Sequence, residues 1–162
     1  MKKVKPGPNQ ESVWDYPRPP KLEDCDKLIR IEFNGRDIAR SDQSKRVLET
    51  SHPPVYYIPQ ADISMDYLKP RSDTSFCEWK GRASYFDVVV DQKKASKAAW
   101  CYSDPTERFK SIANYVAFYA HKMDACYVGD ERVDAQKGGF YGGWITSDIV
   151  GPFKGEPGSA GW

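Results

Sequence analysis

Short runs of β-branched and aromatic residues, each stopped within a few positions by a turn signal, fill the middle of this sequence and leave little room for long helices. Leu28-Ile29-Arg30-Ile31-Glu32-Phe33 alternates apolar and polar after Leu28, the pattern of a half-buried strand. Asn34-Gly35 follows, the strongest short hairpin signal, and Arg36-Asp37-Ile38-Ala39 reads as the returning strand. Ser44 to Thr50 suits either a strand or a short helical turn. His52-Pro53-Pro54 is a rigid break before the run Val55-Tyr56-Tyr57-Ile58, which ends at Pro59. Asp62 stands where it would cap a short turn reaching Leu68. Ala83 to Val90 is the clearest long strand. Ala98-Ala99-Trp100-Cys101-Tyr102 is another, stopped by Asp104-Pro105. Thr106 to about Ala113 predicts a helix of two turns, and Tyr115–Tyr119 and Cys126–Val128 predict closing strands. No βαβ alternation appears. The expected fold is mainly β (β-rich α+β): one small domain, a barrel, sandwich or tent-like structure with one or two short helices.

Two arms flank this body, which spans residues 28–129. Residues 1–27 carry Pro6, Pro8, Pro17, Pro19 and Pro20, and Arg18-Pro19-Pro20 favours an extended path. Trp14 and Tyr16 lie within that irregular stretch, so the arm is expected to dock, either on its own domain or on a partner. Residues 130–162 hold eight of the twelve glycines, yet also Phe140, Tyr141, Trp144, Phe153 and Trp162. Disordered tails are poor in aromatics, so this arm too is expected to be ordered, wrapped over the body or over a twin subunit. Exchange of arms would make a homodimer.

The charges nearly balance, with 24 Lys and Arg against 23 Asp and Glu. A general nucleic-acid binder carries a basic stripe, and attachment to anionic membranes needs a basic cluster; neither is expected here. A phosphate-sized pocket would need only two or three cations. No apolar run approaches the length of a membrane-spanning helix. Met1-Lys2-Lys3-Val4-Lys5 leads into Pro6, Gly7 and Pro8 rather than an apolar segment, which argues against a signal peptide and for a cytoplasmic protein. Cys25, Cys77, Cys101 and Cys126 are widely spaced, with no CxxC pair, so no structural zinc is expected. A chain of 162 residues buries enough surface to dispense with such staples.

Recognised catalytic motifs are scarce. Gly138-Gly139-Phe140-Tyr141-Gly142-Gly143 lacks the spacing of a dinucleotide loop, and no phosphate-binding P-loop, HExxH or nucleophile elbow occurs. His52 and His121 are isolated, as surface or hydrogen-bonded histidines usually are. The informative stretch runs from Thr74 to Tyr85. Cys77 precedes a strand and stands three residues before Lys80. A neighbouring ammonium makes a thiolate nucleophile available, whereas free cysteine is more often simply buried, and no histidine adjoins it in sequence. Lys80-Gly81 would aim a cation at a phosphate or carboxylate, or be a surface lysine before a turn. Arg46 and Glu49 would form an ion pair or flank a pocket with Lys80.

These motifs together resemble one bacterial and fungal family. Phe33-Asn34-Gly35 with Ile38-Ala39, then Arg46-Val47-Leu48-Glu49-Thr50, carry the likeness first. Pro54-Val55-Tyr56-Tyr57-Ile58-Pro59 with Asp62, and Cys77 through Lys80-Gly81 to Tyr85, extend it. Trp100-Cys101-Tyr102 with Asp104-Pro105, and Tyr115-Val116-Ala117-Phe118-Tyr119, complete it. The body is similar to domain of unknown function 427, and the arms resemble those of a longer bacterial subgroup. The resemblance implies a β-tent fold, like that of methionine sulfoxide reductase B and ligand-binding tent domains, with ligands held in a cleft between sheets. It also brings a nucleotidyltransferase label. The Gly-Ser and paired-aspartate signature of ordinary nucleotidyltransferases is missing from this sequence, as are the zinc knuckles of tent enzymes. Glu78 stands where many members have proline after the motif cysteine.

Three functions follow as expectations. The first is a small-molecule-binding domain, with Tyr57, Tyr85, Trp100 and Tyr102 on strands and Arg46, Glu49, Lys80 and also Asp62 as polar partners. The same tyrosines and Trp100 would serve equally well as core. The second is an enzyme acting on a nucleotide or through Cys77 as nucleophile, with Lys80 stabilising charge and Glu49 or Asp62 moving protons. The third is an adaptor that assembles through its aromatic arms. The ligand and any cofactor remain unassigned at this level.

Overall fold

A computed structural model describes residues 2–162. The N-terminal arm contributes β1 (Glu11–Ser12) and β2 (Lys21–Cys25). The body contributes β3 (Ile29–Phe33), β4 (Arg36–Ser41), β5 (Ser44–Leu48), β6 (Val55–Tyr57), β7 (Leu68–Cys77), β8 (Gly81–Val90), β9 (Lys93–Cys101), β10 (Val116–Phe118) and β11 (Ala125–Val128). The C-terminal arm adds β12 (Glu131–Arg132), β13 (Asp134–Ala135), β14 (Trp144–Ile145) and β15 (Ile149–Val150). The chain is mainly β and forms several small sheets without closing into a barrel. Among the described residues helix is confined to short 3-10 segments, the longest being Glu107–Ile112, where the sequence predicts a two-turn helix.

Two four-stranded sheets share the main core. One runs in the order β10-β9-β8-β7, the other β12-β11-β3-β4. Ile29, Ile31 and Phe33 of β3 meet Val88, Val90 and Phe118 from the opposite sheet. Alternation on β3 is what sends its three apolar residues inward together. The β3–β4 hairpin turns at Asn34 and Gly35, whose φ angles of 50° and 75° are those a two-residue primed turn demands. A third sheet, β2-β5-β6, joins the first through paired backbone bonds between Ile58 and Val116 (2.9 and 2.8 Å).

The β10-β9-β8-β7 sheet is covered on both faces. Phe86, Val88, Ala99 and Cys101 serve the main core, while Ala83, Tyr85, Trp100 and Tyr102 face a second cluster with Tyr57, Phe109 and Ile112. That double burial explains the nearly continuous apolar runs of β8 and β9. Ser44 to Thr50 resolves as strand β5 rather than a helical turn. Strand β7 has no counterpart in the sequence reading, because Pro70 and its charged residues obscure it. Proline is tolerated there because β7 is an edge strand.

Both arms lie on their own chain. β1 pairs in parallel with β15, and Trp14 Nε1 donates to the Pro152 carbonyl at 2.9 Å. Val13, Tyr16, Leu48 and Ile149 make a small cluster where the arms meet β5. β2, in the segment read as arm, pairs with β5 along its whole length. Trp144 is buried, stacks on Tyr56 at 5.1 Å and donates through Nε1 to the Phe118 carbonyl. Among the described residues no helix is long and apolar enough to cross a membrane.

Candidate functional site

The second cluster does not fill its space. Tyr57 on β6, Tyr85 on β8, and Trp100 and Tyr102 on and just after β9 line a cavity of about 210 Å³. Residues 100 and 102, two apart, project from one face of the strand into it. Trp100 meets the Tyr57 ring edge-on at 6.4 Å and lies 4.5 Å from the Tyr119 ring. The Tyr85 hydroxyl is bonded to Ser75 Oγ at 2.7 Å, and the Tyr119 hydroxyl donates to the Phe140 carbonyl at 3.2 Å.

Cys77 and Lys80 reach the same cavity from the β7–β8 turn. Cys77 is the last residue of β7 and pairs with Gly81. The turn is anchored to the next loop: Thr106 donates through its amide to the Lys80 carbonyl (3.1 Å) and through Oγ1 to the Trp79 carbonyl (2.6 Å). Lys80 Nζ lies 5.8 Å from the Tyr102 ring centre and 5.9 Å from that of Phe109. No carboxylate pairs with it, although fifteen other ion-pair contacts occur among the described residues. Burial works to lower its pKa, but the neighbouring Tyr57 and Cys77 groups, with Glu49 behind them, outweigh burial and raise it. The ammonium is therefore charged at neutral pH. Burial raises the pKa of Tyr57 and Tyr102, and pushes that of Tyr119 up to about 12. The phenols are consequently neutral and able to donate hydrogen bonds.

His52, from the break before β6, also lines the cavity. Burial lowers its pKa, against the opposing pull of the Thr50 carbonyl and Glu49. Nδ1 lies 2.9 Å from the Thr50 carbonyl, which assigns the proton to Nδ1 and leaves Nε2 as an acceptor. The remaining wall comes from the C-terminal arm, through Gln136, Phe140, Tyr141 and Gly142. Gly142 lies flat against Trp100: a Cβ at that position would fall 2.1 Å from the indole.

Of the residues singled out in the sequence, the structure brings Tyr57, Cys77, Lys80, Tyr85, Trp100 and Tyr102 to this cavity. Glu49 stands just outside it, with Oε2 4.0 Å from His52 Nδ1 and 3.5 Å from Arg18. Arg46 lies elsewhere. It points away from its neighbour Val47 into a hollow of about 280 Å³ beside β2, where Glu11 (2.8 Å) and Glu23 (2.6 Å) already neutralise it. Asp62 is also remote, accepting from Ser41 Oγ at 2.6 Å. His52, Ser75, Tyr119 and the arm residues were not picked out from sequence. For Tyr119 a signal existed, since it shares the alternation of its predicted strand with Ala117.

A family model described as Domain of unknown function (DUF427) matches residues 21–129. The chain belongs to this family. No curated protein matches it. The DUF427 span begins at β2 and ends after β11, so it supplies the strand-borne aromatics together with His52, Cys77 and Lys80. The wall formed by Gln136, Phe140, Tyr141 and Gly142 lies outside it. The family model also bears the short label NTP_transf_9. Nucleotidyl transfer ordinarily places divalent ions on paired carboxylates. No Asp or Glu lines this cavity, and among the described residues no group of three His, Cys, Asp or Glu side chains is placed to hold a metal ion.

Proposed function

We propose that this DUF427 domain binds a small organic anion in the aromatic cavity. The observation that carries the reading is Lys80: a half-buried ammonium, facing an open cavity, with no carboxylate in ion-pair contact and Glu49 acting on it only from outside the lining. A charge partly stripped of water is costly unless something compensates it, and a bound anion would do so. Neutral phenols around it add hydrogen-bond donors, and their rings provide the apolar walls usual in ligand sites. The test is binding of a library of organic anions to the full chain, read by Trp fluorescence and calorimetry, against Lys80→Met. The variant is expected to fold normally and to bind any hit about tenfold or more weakly, the effect of losing a charge-assisted hydrogen bond. Equal affinity in the two proteins would refute the reading.

One observation favours a second reading, in which the bound molecule reacts. Cys77 and His52, far apart in sequence, line the same cavity as Lys80. In this reading the sulfur attacks an electrophilic carbon, His52 Nε2 takes the thiol proton, and Lys80 steadies negative charge. Alkylation mapped by mass spectrometry tests it: Cys77 should favour iodoacetate over iodoacetamide relative to free cysteine, with iodide leaving as the C–S bond forms. His52→Ala should slow both reactions. A Cys77 that reacts only after denaturation would eliminate this chemistry.

A further inference from the structure

We infer that the molecule held here is a planar, single-ring monoanion, an aryl carboxylate in kind, with its ring between Tyr57, Tyr85 and Trp100 and its charge at Lys80. This rests on the anion-binding reading above and narrows it by size, charge and shape.

Size comes first. At about 210 Å³ the cavity is smaller than the ~300–1,000 Å³ typical of sites for drug-sized ligands. Its walls cannot readily retreat. Tyr57, Tyr85, Trp100 and Tyr102 are all buried, and Gly142 braces the indole of Trp100 from the arm. A base, sugar and phosphate chain together exceed this volume, so part of such a ligand would lie outside these walls.

Charge is the second limit. Lys80 is the only lysine or arginine in the lining, and His52 is neutral near pH 7 because burial lowers its pKa. Triphosphate sites combine several cations with rows of backbone amides at a helix N-terminus or a turn. The single ammonium here balances one negative charge. Outward from it the rim carries apolar rings: Phe76 and Phe140, the two most exposed large apolar side chains among the described residues at 76% and 75%, both border the cavity. Lys97 and Lys122 lie against the Tyr85 and Tyr119 rings, at 4.4 and 5.8 Å, but neither lines the cavity itself.

Shape is the third. Aromatic side chains on three strands present ring faces and edges, which suit a flat ring better than a branched aliphatic acid. The Tyr57 and Tyr102 phenols share the lining with Lys80, and hydroxyls of this kind suit the second oxygen of a carboxylate.

The experiment is calorimetric titration of the full chain with benzoate, 4-hydroxybenzoate, benzamide, cyclohexanecarboxylate and ATP with magnesium. Indole N–H resonances observed by NMR report whether Trp100 is perturbed. The expected order places the two benzoates first. Benzamide, of the same shape without charge, should bind about tenfold or more weakly. Lys80→Met should abolish the gap between benzoate and benzamide, and Lys80→Arg should keep part of it. If ATP or cyclohexanecarboxylate bound more tightly than the benzoates, the proposed ligand class would fall while anion binding stood. If none of the anions perturbed Trp100, both would fall.

Discussion

Gly142 has no side chain because Trp100 occupies the place where one would be. The indole is in turn set against Tyr57 and Tyr119, so it has nowhere to move without disturbing the cavity. Gly142→Ala should therefore cost about 1–3 kcal/mol through overpacking, measured by denaturant titration, and should weaken ligand binding as well. Unchanged stability would mean that the arm yields and Trp100 is not braced. At this scale the sequence was informative where alternation is strict. Trp100 on β9 and Tyr102 just after it are two apart, as are Ala83 and Tyr85 on neighbouring β8, so their shared facing follows from the pleat. Arg46 shows the opposite case. Its charge suggested a ligand contact, but it and Val47 face opposite sides of β5, and it meets two carboxylates instead. Spacing along one strand cannot reveal which acids another strand will bring.

Among the elements, the sheet β10-β9-β8-β7 does two tasks at once, supporting the main core on one face and the cavity on the other. Its strands were legible except for β7, where Pro70 and alternating charges hide a pairing that exists only because β8 supplies a partner. The C-terminal arm was legible as ordered from its aromatics, but not as part of a wall, since its strands are only two residues long. Its Trp144 nevertheless sits in the main core, stacked on Tyr56. Loss of a buried tryptophan costs about 3–5 kcal/mol, a large share of a typical domain's stability. A chain trimmed to the family span, residues 21–129, should thus lose cooperative thermal unfolding or melt far below the full chain. Calorimetry of the two proteins decides this, and equal melting would show the arm to be dispensable.

For the molecule as a whole, surface charge sets the acid limit. Burial tends to raise the pKa of Asp87, but the Lys97 amide and Arg71 outweigh it and lower the value; Lys93 does the same most directly for Asp124. Glu11 and Asp148 are lowered too, again against burial, by Arg46 with Tyr16 and by Thr146 with Lys27. Each carboxyl binds its proton more weakly folded than unfolded. Their stabilisation is therefore complete above the unfolded values near pH 4 and fades as pH falls through the lower folded values. Melting temperature should be level from about pH 7 to 8, decline modestly below about pH 6.5, where the unfolded chain charges His52 and His121 more readily than the folded one does, and drop steeply below about pH 4. A flat profile down to pH 2 would mean that these pairs contribute nothing net.

One wall of the cavity is built by a stretch of chain beyond the segment that defines the family. The lining is thereby divided between the matched span, which carries Tyr57, Lys80 and Trp100, and the tail beyond it, which carries Phe140 and Tyr141. If the cavity holds the anion proposed above, substitutions at Phe140 or Tyr141 would alter which guest is admitted while leaving every strand of the body unchanged.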